Sequence, residues 1–191
     1  SHFLKLFILF SFLILTTVKV KGEEIWRLRY LVITSAETEI NRNSNKTKNK
    51  LETDGNSGSL IFLNGVGLGY NSHLKKGTVE GIYYKFKNHS LDLSYTIGKF
   101  FSLTFGVGRI VYGRGELNYN GNNFVTESSR GEAYFLDLGI PFLVGEFLFG
   151  YRQNYIEYNN FQTQVSGVSL ILDDNLKLSS SQFNLGLGFL F

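Results

Sequence analysis

The sequence predicts an all-β fold, an eight-stranded antiparallel up-and-down transmembrane β-barrel, and three observations predict it. The C-terminal segment, residues 181–191, alternates strictly between apolar residues and small or polar residues. The chain has 21 Gly, 18 Phe and 11 Tyr but one Pro and no Cys, a composition typical of a sheet that closes on itself. Segments with the same period of two recur along the chain, and long polar connections alternate with short ones between them.

The C-terminal segment has the pattern of a membrane-spanning strand. A tilted strand crosses a bilayer in about ten residues, with apolar side chains toward lipid and small or polar ones toward the lumen. The lumen set would be Gln182, Asn184, Gly186 and Gly188, and the lipid set would be Phe183, Leu185, Leu187, Phe189 and Phe191. The alternative is a soluble, lipocalin-like barrel, which would carry its apolar residues inside and its polar residues outside.

The last residue of this strand, Phe191, makes the chain resemble the small eight-stranded bacterial outer-membrane barrels of the OmpA/OmpX/OmpW kind. The resemblance rests on architecture and on this terminal aromatic residue, not on an internal motif. It implies a location in the bacterial outer membrane, contact with outer-membrane lipid and lipopolysaccharide, and a monomer. It also implies that Phe191 and Phe189 form an assembly signal, read by the barrel assembly machinery after periplasmic chaperones have delivered the chain.

The N-terminal residues 1–22 are predicted to be a signal peptide, which leaves a barrel domain at residues 23–191. Lys5 precedes an apolar run at residues 6–15, which is too short to span a bilayer as a helix and is typical of a signal-peptide core. Val20 and Gly22 provide small residues for cleavage after Gly22. The alternative is an uncleaved anchor or an apolar first strand.

The charge of the predicted mature chain is balanced. The sequence has 19 Lys+Arg and 16 Asp+Glu, and three lysines (Lys5, Lys19 and Lys21) belong to the predicted leader, so 16 basic residues face 16 acidic ones. A nucleic-acid-binding protein would need a retained basic patch, so no nucleic-acid partner is predicted. Because the chain has no Cys, a lipoprotein anchor and disulfide bonds are excluded.

Eight strands are predicted from the period of two. Their approximate ranges are 24–40, 58–70, 79–87, 90–98, 101–117, 130–140, 142–158 and 178–191. Turns are expected at residues 71–78, at a short link Asn88–His89, and at Pro141. Arg109 breaks the alternation, which predicts either a β-bulge or an arginine at the level of the lipid headgroups. The predicted connections at one end of the barrel are long and those at the other end are short. The link at Asn88–His89 is the exception, because it is short although it belongs to the end with long connections.

The lumen is predicted to hold charged side chains of both signs. A charge inside a wall of low dielectric constant is costly unless it is paired, so we expect a network of salt bridges that plugs the barrel. The alternative is that these residues only stabilise the fold. The inward charged residues are Arg27, Arg29, Lys85, Asp92, Asp137, Glu146 and Arg152.

No catalytic residue, cofactor site or metal site is predicted. His73 is expected in a turn on the short-turn side and His89 in a short outer link, too far apart in sequence to form a metal cluster. The pair His89–Ser90 invites comparison with outer-membrane lipid A deacylases, where His and Ser lie two residues apart and share a strand face. Here they are adjacent and would point to opposite faces. Glycines at 65, 67 and 69 resemble a phosphate loop, but no helix follows them.

Two classes of function are therefore expected. The first is a non-enzymatic surface barrel that serves envelope structure, adhesion or binding through its outer loops. The alternative is a small conduit for hydrophobic molecules, of the OmpW kind, and a further alternative is a lipid A-modifying enzyme. The lumen discriminates between the first two, because a charged plug favours the surface barrel. An apolar funnel, lined by Ile110 and Tyr112 if Arg109 marks a bulge, would favour the conduit.

Overall fold

The computed structural model describes residues 26–42, 45–49, 51–98, 101–165, 168–172 and 175–191. The predicted signal peptide lies outside the described residues and stays a prediction. No helix among the described residues is long and apolar enough to cross a membrane. The described residues form twelve strands: β1 (Arg27–Arg42), β2 (Asn45–Asn49), β3 (Glu52–Ile61), β4 (Val66–Val79), β5 (Ile82–Ile97), β6 (Ser102–Tyr119), β7 (Asn122–Thr126), β8 (Ser129–Phe142), β9 (Gly145–Tyr158), β10 (Phe161–Val165), β11 (Val168–Leu172) and β12 (Leu176–Leu190).

Eight of these strands close into an antiparallel barrel, which confirms the predicted fold class. The order around the barrel is β1, β3, β4, β5, β6, β8, β9 and β12, and β12 returns to β1. The closing ladder runs from Arg27 opposite Leu190 to Arg42 opposite Leu176. The four shorter strands extend the sheet at one end, where β2 pairs with β1, β7 with β6, and β10 with both β7 and β11.

The predicted strands agree with the structure at both ends of the chain but are wrong in the middle. The predicted strand at 58–70 contains a turn, in which Gly65 adopts a positive φ of 84° and donates its N–H to the carbonyl of Phe62 at 2.8 Å. The predicted turn at 71–78 lies inside β4. The two predicted strands at 79–87 and 90–98 are one strand, β5, which pairs with β4 without interruption from Val66–Tyr95 to Val79–Ile82.

Because β5 is continuous, Lys85 lies on the other side of the barrel wall from the one that the sequence predicted. Asp92 points into the lumen, so Phe86 and Tyr84, which are an even number of residues away, also point inward and are buried. Lys85 therefore lies on the outer face, not in the lumen as the sequence predicted, and its Nζ lies 3.4 Å from a carboxylate oxygen of Glu116. The sequence predicts a link at Asn88 and His89, and a link would let the inward and outward faces be assigned afresh on each side of it; the unbroken strand does not.

Both histidines of the described chain also lie elsewhere than predicted. His73 is not in a turn but in β4, where it points into the lumen and is buried. His89 is in β5, on the outer face, and its ring packs against Tyr70 and Tyr112 with centroid distances of 5.5 Å to each.

Two β-bulges lie where the strands leave the lower part of the barrel. In β6 the extra residue is Val111, because His89 pairs with Tyr112 while Ser90 pairs with Ile110. Arg109 itself stays on the outer face in phase with the residues before it, so the predicted bulge is two residues further on. In β1 the extra residue is Thr34, which reverses the alternation above it and places Ile40 inside.

The outer wall of the barrel carries a continuous apolar belt, and the lumen behind it is polar. This arrangement is the reverse of a soluble barrel and defines a transmembrane β-barrel. We use the name apolar belt for the outward apolar residues on the half of the barrel that carries the ends of the described chain. Each of them is about half exposed. The belt includes Leu28, Tyr30, Val32, Leu68, Tyr70, Leu91, Leu103, Leu136, Leu138, Ile140, Phe147, Phe149, Tyr151, Phe183, Leu185, Leu187 and Phe189.

The connections are short at the end of the barrel that carries the belt and the ends of the described chain. There β3 ends at Ile61 and β4 begins at Val66. In the same way β5 ends at Ile97 before β6 begins at Ser102, and β8 ends at Phe142 before β9 begins at Gly145. At the opposite end, which we call the long-loop end, three connections include the extra strands and one is the two-residue turn Glu80–Gly81. The predicted asymmetry is thus present, and its short exception is Glu80–Gly81 rather than Asn88–His89. Pro141 lies near the end of β8, opposite Glu146, and the turn follows it.

Replacing Leu187 with Arg should lower the free energy of unfolding in lipid vesicles by about 2–4 kcal/mol, because a cation on the lipid face near the membrane centre loses its water. Ser179 lies on the same face of β12 but above the belt, so Ser179→Arg should cost no more than about 1 kcal/mol. Urea-induced unfolding in phosphatidylcholine vesicles measures both. Equal costs at the two positions would contradict the placement of Leu187 against lipid.

Candidate functional site in the barrel lumen

The lower lumen is closed by a cluster of one carboxylate and two guanidinium groups, which we call the lower cluster. Arg27 donates from Nη1 to Glu146 Oε2 at 2.9 Å, and Arg29 donates from Nε to Oε1 at 2.6 Å and from Nη2 to Oε2 at 3.0 Å. Ser102 donates its hydroxyl to Glu146 Oε2 at 2.8 Å. The Glu146 side chain is fully buried. Because its oxygens accept four hydrogen bonds, the carboxylate can stay charged without water.

Glycines make room for the lower cluster. A Cβ atom at Gly139 would lie 2.4 Å from Glu146 Oε2, and one at Gly188 would lie 2.7 Å from Glu146 Cγ. A side chain at either position would push the Glu146 carboxylate away from its four hydrogen bonds, so Gly at these inward positions of β8 and β12 keeps it in place. The small inward residues of the C-terminal strand therefore leave the space that the large charged side chains of the neighbouring strands occupy.

A second cluster, the upper cluster, lies further toward the long-loop end. Arg152 donates from Nη1 to Asp92 Oδ2 at 2.7 Å and from Nη2 to Asp92 Oδ1 at 3.0 Å, a bidentate pair. Its remaining N–H groups reach Ser90 Oγ at 2.7 Å and Asn154 Oδ1 at 3.0 Å, and Ser90 donates to Asp92 Oδ1 at 2.9 Å. The Arg152 guanidinium also lies 5.4 Å from the centre of the Phe135 ring.

Asp137 lies between the two clusters and is buried, and it makes no ion pair with any described residue. Together with Asp92, Arg152 and Asn184 it lines a cavity of about 20 Å³. A cavity of this size has room for about one water molecule. The space between the clusters is therefore far smaller than a channel.

The structure thus divides the seven predicted lumen residues into groups. Arg27, Arg29 and Glu146 meet in the lower cluster, and Asp92 and Arg152 meet in the upper one. Asp137 faces the cavity between them, and Lys85 lies on the outer wall. The described part of the chain holds no group of three or more His, Cys, Asp or Glu side chains that could bind a metal.

Sequence reasoning missed a polar layer above the upper cluster. Lys75 is fully buried and donates to Thr38 Oγ1 at 3.2 Å, and His73 Nδ1 donates to Asn71 Oδ1 at 3.0 Å. The signal was present, because Asn71, His73 and Lys75 alternate with the outward residues of β4. A polar stretch of this kind is also typical of a turn, and the sequence therefore predicts a turn at residues 71–78.

The outer half of the lumen is filled by an apolar core instead of an open funnel. The rings of Phe86 and Tyr158 lie 5.0 Å apart, and Ile110 packs in the same cluster, while Tyr112 lies on the outer wall. All members of the core are at most 8% exposed, so they pack against one another rather than around an open space. The core consists of Ile40, Leu51, Val79, Tyr84, Phe86, Ile110, Leu117, Ile156, Tyr158, Phe161, Leu176 and Leu178.

The arrangement of His89 and Ser90 excludes the deacylase-like pair. Ser90 is inside the barrel and contacts Asp92 and Arg152, while His89 is on the outer wall. The wall separates the hydroxyl from the imidazole, so the histidine cannot take the proton of this serine.

A closed antiparallel barrel with an apolar belt outside and paired charges inside belongs to the class of small transmembrane β-barrels with a filled lumen. No protein-family model matches the sequence, and no curated protein matches it.

Solved structures of outer-membrane barrels are similar in fold. Neisserial surface protein A has a TM-score of 0.58 and 11% identity, with 90% of this chain and 100% of that chain covered. Ail, the attachment invasion locus protein of Yersinia pestis, has a TM-score of 0.54 and 16% identity, covering 89% and 100%. The outer membrane protease OmpT from Escherichia coli has a TM-score of 0.52 and 9% identity, covering 92% and 99%. The chain therefore has the fold of small outer-membrane β-barrels.

Replacing Glu146 with Ala should lower the free energy of unfolding by about 3–5 kcal/mol, because it leaves Arg27 and Arg29 buried without a counter-ion. Lys85→Ala removes one member of a half-exposed pair on the outer wall and should cost no more than about 1 kcal/mol. Urea-induced unfolding in detergent micelles measures the difference. Similar small costs would show that the lower cluster does not hold the barrel together. If Glu146→Ala does not refold, Arg27→Ala repeats the comparison by removing one of the two guanidinium groups of the same cluster.

Proposed function

We propose that this protein is a monomeric, non-enzymatic barrel of the bacterial outer membrane that presents a binding surface at its long-loop end. The observation that carries the proposal is the extension of the sheet beyond the apolar belt. The charged residues of β6 begin at Arg109, and the strand continues to Tyr119. At about 3.3 Å per residue this part of β6 alone is some 30 Å long.

The extension also widens sideways, because β7, β10 and β11 add to β6 in that order. Among the described residues β11 has one hydrogen-bonded neighbour, β10. The backbone N–H and C=O groups on the other side of β11 form an edge that an extended peptide can join as a further strand. This edge supports surface binding of a protein partner by backbone hydrogen bonds.

The closed lumen supports a surface role over transport. Two charged clusters and the apolar core lie one above another along the barrel axis, and their side chains are buried in the lumen that a solute would have to pass. An eight-stranded barrel has room for side chains or one small ligand, and here the side chains take that room.

The similar structures show the fold of this chain and not its role. Ail is named for attachment and invasion, and OmpT is named a protease, but likenesses of 16% and 9% identity show the fold alone. For this chain the non-enzymatic assignment is supported by the surroundings of Ser90, whose described hydrogen-bond partners are an ion-paired carboxylate and a guanidinium rather than a general base.

Planar lipid bilayers containing the refolded protein should show no stepwise ion current. Arg152→Ala should also stay closed, because the lower cluster and the apolar core each block the lumen without it. An open porin reconstituted under the same conditions is the control for detection. Current steps from the wild-type protein would contradict the plug and support the conduit for hydrophobic molecules.

Removal of the β10–β11 hairpin should abolish binding while leaving the barrel intact. We expect bacteria that display the variant lacking residues 162–172, joined by a short Gly-Ser link, to attach to epithelial cell layers no better than bacteria without the protein. This deletion keeps Phe161, which belongs to the apolar core. Glu80→Lys, in the tight turn of the same end, is the matched control and should attach like wild type. Equal surface amounts must be verified by heat-modifiable mobility on gels. Full attachment of the hairpin deletion would refute the proposed binding surface.

A further inference from the structure

Two strands of the long-loop end have one hydrogen-bonded neighbour each among the described residues, and they differ in how the open edge is protected. β2 pairs with β1, and β11 pairs with β10. Natural sheets protect such edges with Lys, Pro or a bulge, because exposed backbone groups pair with other chains. β2 carries Lys46 and Lys48 among its five residues. β11 has the sequence Val-Ser-Leu-Ile-Leu, without a charged residue or Pro, so its edge is open to pairing.

The edge of β11 is complementary to the same edge of a second copy. In an antiparallel pair centred on Leu170, Leu170 of one copy lies opposite Leu170 of the other. Val168 then lies opposite Leu172, and Ser169 opposite Ile171, so that all five residues are used. Alternate pairs of opposite residues exchange both of their backbone hydrogen bonds, which gives about four to six bonds between the two edges. Because β11 is uncharged, no charge is brought opposite its own copy.

The direction of β11 determines where the second copy can be. β12 pairs with β9 up to Leu176 and Tyr158, and β11 pairs with β10 from Leu172 and Phe161 onward, so β11 and β12 run in the same direction. That direction is from the long-loop end toward the apolar belt. In every copy in one membrane, β11 therefore runs toward that membrane. Because barrel strands tilt by about 35–45° from the barrel axis, two such strands in one membrane never run in opposite directions.

The symmetry of the pair leads to the same conclusion. Two identical edges that pair in antiparallel orientation are related by a two-fold axis along the normal of the sheet. In the wall of a barrel this normal is perpendicular to the barrel axis, so the two-fold rotation turns one barrel upside down relative to the other. Barrels related in this way lie in two membranes that face each other, with their long-loop ends between them.

We propose that β11 pairs with β11 of a second copy in a facing membrane, so that the protein joins two bacterial cells that both display it. The inference rests on the proposed binding surface and names its partner. Five residues on each side form an interface far smaller than that of a stable dimer, so the barrel stays a monomer in detergent and in its own membrane. Between two cells many such pairs act together, and multivalent contacts can exceed a single affinity by about 10²–10⁴.

Leu170 provides the first test, because it lies opposite its own copy. Bacteria that display Leu170→Lys and bacteria that display Leu170→Glu should each settle from suspension as slowly as bacteria without the protein, since like charges meet at the two-fold axis. A mixture of the two populations should regain most of the wild-type settling rate, because each lysine then meets a glutamate. Asn122→Lys adds the same charge to β7, which has a strand on both sides, and should settle like wild type.

Disulfide bonds provide the second test, because the chain has no Cys of its own. Bacteria that display Ser169→Cys with one peptide tag are mixed, under mild oxidation, with bacteria that display Ile171→Cys with another tag. The two Cα atoms are expected about 4.5–5.5 Å apart, within the range of a disulfide, so a dimer that carries both tags should form. Ser169→Cys in both populations is the control, since its cysteines are two residues out of register and too far apart to bridge.

The outcomes separate this inference from the proposed function. Wild-type settling of the separate Leu170→Lys and Leu170→Glu populations, or a mixture that does not recover, overturns self-pairing. Equal yields of the two-tag dimer from the two cysteine arrangements overturn it as well. Heat-modifiable mobility verifies that all variants are inserted in equal amounts. Wild-type bacteria that attach to epithelial cells but do not settle together refute self-pairing alone, whereas bacteria that do neither refute the binding surface itself.

Discussion

The ion pairs of Glu146 with Arg27 and Arg29 are the interaction on which the barrel depends. They join β9 to β1 through the lumen, so the two neighbours of β12, the strand that closes the barrel, are tied together from inside. Burial of any one of these charges alone would cost several kcal/mol, and the three are tolerated only as a set. The set in turn requires small residues around it, which explains glycines at the inward positions Gly139 and Gly188.

The strands near the two ends of the chain could be predicted from the sequence because each of them shows one clean alternation. In β12 the apolar residues face lipid and the polar residues face the lower cluster, so the two environments differ sharply in polarity. The middle of the chain could not be predicted in the same way. In β4 the inward residues Asn71, His73 and Lys75 are polar. Of the outward residues beside them, Ser72 and Lys76 are also polar and only Leu74 is apolar, so the alternation of polarity is lost.

The candidate site shows the same division. Arg27, Arg29, Asp92, Asp137, Glu146 and Arg152 lie in the lower and middle lumen, where parity from the belt is reliable. The error at Lys85 has a physical cause. Above the belt the outer wall faces water, so a lysine side chain is as stable on the outer face as in a polar lumen. The pairing itself could not be deduced either, since which arginine meets which carboxylate depends on the stagger of strands that are distant in sequence.

The two bulges, at Thr34 and Val111, separate the barrel into parts that can change independently. Each lies where its strand leaves the belt, and each absorbs an offset of one residue. In an unbroken strand, an insertion or deletion of one residue would turn every following side chain to the opposite face. With a bulge at this height, which takes up an offset of one residue, the loops and their strands can gain or lose residues while the paired charges beneath keep their partners. The barrel is thereby built for variation at the surface and for constancy in the membrane.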